Sequence, residues 1–274
     1  VPSVQHGNHQ AHSIGLGAMG LHTYFAKNHM FYGSPESLDF TNIYFLLLNY
    51  YTLKASNKIA QERGESFHNF ENSKYADGSY FDKYTEQVWA PKYDKVRALF
   101  DGIHIPTQAD WEALKTSVMK DGLYHQNRMA VAPNGSISYI NDTSASLQPI
   151  VNRIEDRQEK KIGTIYYPAP DLSNDTMTYY QSAYDIDMRK VIDVYAAAQQ
   201  HVDQGMAMTL FMRSTIPAGL YPWKDGRTDK MTTRDLNILR NYAHHKGIKS
   251  IYYIRTYTDD QEEIGSNACE SCSI

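Results

Sequence analysis

The second half of the chain alternates helix and strand, and that alternation restricts the fold more than any other feature. Residues 187–199 place Val191, Ile192, Val194 and Tyr195 inward and read as an amphipathic helix. A strand follows over 206–211, where Met208, Leu210 and Met212 alternate with Thr209 and Phe211. A long loop at 213–230 carries Pro217, Pro222 and Trp223. Thr233 is then placed to cap a helix over 234–246, which Gly247 ends. The β-branched and aromatic run from Ile251 to Ile254, bounded by polar residues, reads as one more strand. Helix and strand in turn are the signature of an α/β fold. No internal repeat is visible.

The first half mixes helices with irregular segments. His6, His9 and His12 are spaced by three, but Gly7, Asn8 and the lack of apolar periodicity predict a solvated loop rather than a metal site. Gly15, Gly17 and Gly20 match the spacing of a dinucleotide fingerprint, with Asp39 near the expected distance. That motif needs a preceding strand, and the stretch His9-Gln-Ala-His-Ser13 ahead of it is no strand. The glycines are expected instead to let a helix over 16–27 press closely on its neighbours. A second helix is predicted over 41–63, capped by Asp39 or Thr41, with Ile43, Leu47 and Asn57 inward and Gly64 as its stop. Residues 67–84 have no clean period and are expected to lie irregularly over the surface. Thr107 should cap a helix that buries Trp111, Leu114 and Val118 and ends at Gly122. A short strand is expected over 128–132. Residues 153–161 form a charge run and predict a solvated face, and Tyr166-Tyr167 ahead of Pro168 is assigned no redox role.

Composition narrows the classes. With 274 residues and 42% hydrophobic content the chain can bury a sizeable core. A net charge of −4 argues against a general nucleic-acid or anionic-membrane binder, which would need a basic face. No apolar run approaches the roughly 20 residues that a bilayer demands. Two cysteines make no disulfide framework, and a cytoplasmic location is expected. The chain opens on Val1-Pro2-Ser3 and is expected to be preceded by further sequence.

Those two cysteines, Cys269 and Cys272, lie in a tail where Asp259, Asp260, Gln261, Glu262 and Glu263 offer no apolar face to bury. The predicted organisation is therefore a folded part over 1–258 and a flexible tail over 259–274. A zinc site would need about four ligands. A thioredoxin-type motif would need a following helix. An exposed dithiol exchanging with another site requires an accessible thiolate, which a mobile terminus provides. Two unemployed surface cysteines remain the plain alternative.

A second candidate site is the loop Pro133, Asn134, Gly135, Ser136 and Ile137. A small turn with a glycine and hydroxyls, ahead of a possible helical turn, can cradle an anion. Gly135 is expected to supply a positive φ, and Ser136 and Ser138 hydroxyl donors. It is no Walker loop, because the lysine is missing. An ordinary Asn-Gly turn is the equal alternative.

The segments 132–140, 246–256 and 269–272 together resemble the C-terminal part of the large (alpha) subunit of class Ib ribonucleotide reductase. The resemblance runs along essentially the whole chain. It implies the C-terminal portion of a ten-stranded α/β barrel and reduction of ribonucleoside diphosphates to 2′-deoxyribonucleotides by radical chemistry. Tyr252 and Tyr253 would pass a radical, Cys269 and Cys272 would re-reduce the active site, and 133–137 would hold the substrate diphosphate. It implies no cofactor in this chain, a dimetal-tyrosyl small (beta) subunit as radical source, a thioredoxin- or glutaredoxin-like reductant, and a homodimer of allosterically regulated large subunits. The family's active-site cysteines should stand outside the tail, and this chain has none there. They are expected on a preceding segment, without which the chain should not turn over. A free-standing thiol–disulfide carrier and a non-catalytic nucleotide-binding scaffold are the alternatives from other classes.

Overall fold

The computed structural model describes residues 1–159 and 163–258. Cys269, Cys272 and the whole 259–274 segment lie outside the described residues. Seven helices come first: α1 (Pro2–Ala11), α2 (Leu21–Lys27), α3 (Pro35–Arg63), α4 (Asp82–Thr85), α5 (Asp94–Leu99), α6 (Gln108–Asp121) and α7 (Gly135–Ile140). A hairpin of β1 (Ile154–Glu159) and β2 (Gly163–Pro168) follows. Then come α8 (Met188–Gln199), β3 (Thr209–Arg213), β4 (Thr215–Ile216), β5 (Asp229–Lys230), α9 (Thr233–His245) and β6 (Tyr253–Tyr257). β1–β2 and β4–β5 pair antiparallel, whereas β3 and β6 pair parallel, from Thr209 opposite Tyr253 to Arg213 opposite Tyr257. A parallel pair needs a crossover, and α9 lies on the connection that provides it. Thr209 to Met212 are all buried, as befits a parallel strand covered on both faces.

The chain divides into two compact units: Val1–Gly17 with Leu38–Val131 and Ala197–Gly205, and Ala18–Ser37 with Ala132–Ala196 and the residues from Met206 on. In the first, the histidine-bearing start is the helix α1 rather than a loop, although it buries none of its residues. Among the described residues no group of three or more His, Cys, Asp or Glu could hold a metal ion. Gly17 approaches the chain opposite so closely that a Cβ would stand 2.5 Å from the Ala130 carbonyl oxygen. The glycines thus serve packing, as expected, but along an extended segment; the helix begins only at Leu21. The strand expected over 128–132 forms no ladder and is reduced to isolated bridge residues, Met129, which pairs with Leu16, and Val131.

Helix α3 starts six residues ahead of the expected Thr41, because Pro35 suits a first helical turn and the Ser34 hydroxyl accepts the Ser37 N–H at 3.3 Å. Asp39 is not its cap; that carboxylate accepts the N–H groups of Lys92 and Tyr93 at 2.6 and 3.1 Å. Gly64, at φ +63°, stands just past the end. Thr107 does cap α6 in a reciprocal capping box with Asp110, and Trp111, Leu114 and Val118 are buried. The 67–84 region departs from expectation. It is irregular, but Phe67, Phe81 and Tyr84 are core residues, and Tyr84 lies flat on Trp111 with ring centroids 4.1 Å apart. Arg128 is fully buried, donating to Asn49 Oδ1, Thr52 Oγ1 and the Tyr75 hydroxyl, each at 3.1 Å, with Asp203 at 3.4 Å. A buried guanidinium is tolerable only with such partners.

In the second unit, the turn into α2 is fastened to residues 143–144. Gly20 takes φ +82°, and a Cβ there would stand 2.2 Å from the Thr143 hydroxyl. Thr23 and Ser144 exchange backbone-to-hydroxyl bonds of 3.0 and 2.9 Å. His22 is completely buried between Tyr32 and Tyr180. Its Nδ1 accepts the Ile150 N–H at 2.9 Å while Nε2 faces the Tyr179 carbonyl at 3.1 Å. Those partners require the neutral tautomer with its proton on Nε2. The charge run at 153–161 is strand β1 as far as Glu159, with Arg153 and Ile154 exposed.

Burial lowers the His22 pKa to about 4, with the Tyr179 hydrogen bond opposing weakly. The folded state therefore resists a proton that the unfolded chain accepts below about 6.5. Stability should hold above that pH and fall as pH drops from about 6.5 to 4, by about 3 kcal/mol at the limit. His22→Gln should flatten this part of the profile, measured as thermal midpoint against pH; an unaltered slope would remove His22 from the account.

Candidate functional site

The tyrosine pair sits where a strand begins. β6 starts at Tyr253 rather than at the expected Ile251, and Tyr252 precedes it. Both backbone N–H groups converge on the Met208 carbonyl, at 2.8 and 3.4 Å. In a regular strand adjacent side chains point to opposite faces. Here the irregular start brings the rings together, with centroids 4.2 Å apart and planes inclined by 63°. The two residues are 51% and 42% exposed, too open for core packing to be their main purpose.

Helix α9 delivers the pair to that position. Its cap is Thr232, one residue earlier than expected, in a reciprocal box with Asp235. Asp235 also receives Trp223 Nε1 at 2.8 Å and Lys224 Nζ at 2.9 Å. Burial opposes the charge on Asp235, but hydrogen bonds from Thr232, Lys224 and Trp223 outweigh it and hold the pKa at about 2. At the other end, Asp193 of α8 accepts from the Tyr242 hydroxyl and from Lys246 Nζ, both at 2.8 Å. Gly247, at φ +79°, then turns the chain, and the Ser250 hydroxyl donates to the Met206 carbonyl at 2.9 Å.

The loop Pro133–Asn134–Gly135–Ser136–Ile137 leads into α7 with most of its side chains toward solvent. The positive φ belongs to Asn134, at 51°, and not to Gly135. Asparagine tolerates this left-handed conformation better than most residues. Gly135 is the first residue of the helix, and a Cβ there would meet nothing within 4 Å. Ser138 is not turned to an anion either; it is buried, and its hydroxyl donates to the Gly135 carbonyl at 2.7 Å. The first ladder bond inside α7 runs from the Ser138 N–H to the Asn134 carbonyl at 3.1 Å. The N–H groups of Gly135, Ser136 and Ile137 therefore precede the helical ladder.

A cleft opens beside this turn, lined among others by Gly135, Tyr139, Glu155, Tyr167 and Arg255. The Tyr139 hydroxyl donates to Glu155 at 2.5 Å. Sequence reasoning passed over Glu155 and Arg255. Glu155 sits inside a charge run, and Arg255 has no local pattern of its own, although a period of two from Tyr253 places it on the same strand face.

A family described as the ribonucleotide reductase barrel domain matches residues 1–254. The chain belongs to that family. Along its whole length it is 46% identical, over 273 residues, to the ribonucleoside-diphosphate reductase subunit alpha of Bacillus subtilis. It is 48% identical, over 284 aligned residues, to the subunit alpha of Mycoplasma genitalium, and 29% identical over 257 residues to that of Helicobacter pylori. It spans 36% and 37% of the lengths of the first two. The mixed helix and strand content is accordingly that of a portion of the ribonucleotide reductase α/β barrel. No helix among the described residues is long and apolar enough to cross a membrane.

The left-handed Asn134 yields a prediction for this barrel segment. Asn134→Gly should be tolerated, whereas Asn134→Val should cost about 1–3 kcal/mol. Thermal denaturation of the two variants checks this; equal midpoints would mean that the turn does not need its left-handed residue.

Proposed function

We propose that this chain is the C-terminal part of the large subunit of a ribonucleoside-diphosphate reductase, which replaces the ribose 2′-hydroxyl of ribonucleoside diphosphates by hydrogen. The observation that carries the reading is the contact between the Tyr252 and Tyr253 rings. It occurs in a chain that matches subunits of that name along its length.

In this reading Tyr252 and Tyr253 relay a radical, supplied by a dimetal-tyrosyl small subunit, toward the active site. Their 4.2 Å ring separation suits a short transfer. The backbone N–H groups from Asn134 to Ile137 face the substrate diphosphate, with the open side of Gly135 allowing close approach. The reacting thiols lie outside this chain, whose cysteines are Cys269 and Cys272 alone. Two thiols are oxidised to a disulfide as the 2′-hydroxyl leaves as water. Cys269 and Cys272 restore them by thiol–disulfide exchange and become the disulfide themselves. A thioredoxin- or glutaredoxin-like protein then reduces the tail. The assembly is a cytoplasmic homodimer of large subunits with small subunits. A match that extends over 1–254 favours this reading over a free-standing dithiol carrier.

Replacing Tyr252 or Tyr253 by Phe removes only a hydroxyl from a half-exposed ring. Folding should lose roughly 1 kcal/mol at most, while turnover by the assembled enzyme should vanish, since phenylalanine cannot carry the radical. Retained turnover in both variants would sink the relay.

Cys269→Ser or Cys272→Ser should abolish turnover with a thioredoxin-like reductant and spare it with a small dithiol able to enter the site. Equal loss with both reductants would assign the pair a structural role. Gly135→Val meets no internal obstacle, so it should leave the fold intact and raise KM for diphosphates; an unchanged KM would take the loop out of the site.

A further inference from the structure

The cleft beside α7 has an uneven charge inventory. Among the described residues its lining includes two carboxylates, Asp142 and Glu155, and one cation, Arg255. A nucleoside diphosphate brings about three negative charges, and against two carboxylates alone it would be repelled. Glu155 is engaged by the Tyr139 hydroxyl. Arg255 is half-buried and, among the described residues, enters no ion pair. A guanidinium partly withdrawn from water without a carboxylate partner is poised for an anion, and its planar fork matches phosphate in bidentate fashion.

The strand explains how Arg255 reaches the cleft. In β6, Tyr253, Arg255 and Tyr257 share one face by the two-residue period. Tyr257 packs against Tyr184 with ring planes inclined by 43° and centroids 5.2 Å apart, and Arg213 lies over the Tyr257 ring at 5.1 Å. Tyr184 also lies within electrostatic range of Arg255. The register with β3 pairs Arg255 with the buried Phe211, which fixes its Cα. Arg255 thus stands on a paired strand, while Gly135, at the start of α7, lines the same cleft.

We propose that Arg255 binds the terminal phosphate of the substrate and sets the preference for diphosphates over monophosphates. This rests on the reading of 133–137 as the phosphate loop and adds to it. The loop supplies neutral N–H donors, and Arg255 supplies the charge that an additional phosphate requires.

The test uses the complete large subunit and equilibrium binding of cytidine diphosphate and cytidine monophosphate to the parent protein and to Arg255→Ala, Arg255→Lys and Gly135→Val. Arg255→Ala should weaken the diphosphate by about 10- to 100-fold, the worth of a charge-assisted bond, and the monophosphate far less. Arg255→Lys should recover part of the loss, because it keeps the charge and loses the fork. Thermal midpoints establish that each variant folds; should Arg255→Ala not fold, Arg255→Gln takes its place. Equal weakening of both nucleotides, or none, would overturn the proposal. If Gly135→Val weakens the diphosphate and Arg255→Ala does not, the loop reading stands and the role of Arg255 falls. If neither does, the loop reading has failed as well.

Discussion

The geometry of the candidate site depends on the anchoring of α9 by one carboxylate near each end. At the start, Asp235 gathers the Thr232 cap, the Trp223 indole and the Lys224 ammonium. At the finish, Asp193 holds Tyr242 and Lys246. An exposed ion pair contributes little, but Asp235 is buried, and removing its partners would strand a charge in a poorly solvated place. With both ends fixed, the chain leaving Gly247 has little freedom before Ser250 meets the Met206 carbonyl and Tyr252 meets Met208. The two tyrosines are presented by a strand start that the rest of the second unit has already placed.

The same principle operates at the loop. α7 is only six residues long and could not persist alone. It is held because the chain after it, at Thr143 and Ser144, is fastened to the start of α2, where Gly20 leaves room for the Thr143 hydroxyl. The buried His22 lies in that same first turn of α2 and bonds Ile150 and Tyr179. Loop, cleft and histidine therefore belong to one polar framework inside a mostly apolar unit. Satisfied polar networks of this kind confer specificity of arrangement more than raw stability.

Much of this was legible in the residues. The helices α6, α8 and α9 follow from apolar spacing, and their ends from Thr107, Gly122 and Gly247, whereas the α9 cap expected at Thr233 falls one residue earlier, at Thr232. Both candidate segments, the tyrosine pair and the 133–137 loop, stand out as local patterns. What was misread shares a cause. Asn134 rather than Gly135 takes the left-handed turn, and Ser138 turns back on its own helix, because the following segment dictates where the turn must close. Residues 67–84 lack periodicity, so nothing local reveals that Phe81 and Tyr84 fill the space around Trp111.

The sequence by itself determined the α/β class, the family, and the chemistry available: oxidisable rings, a dithiol, and a small glycine-bearing turn. These are properties of residue type and short-range order, where periodicity and capping act over a few positions. Only the tertiary structure decided that the rings of Tyr252 and Tyr253 touch, that Arg128 is buried among Asn49, Thr52 and Tyr75, and that Arg255 shares a cleft with Gly135. Each joins side chains through long-range pairing and burial. Local propensity carries no information about such pairings, since the free energy that fixes them comes from partners distant in the chain.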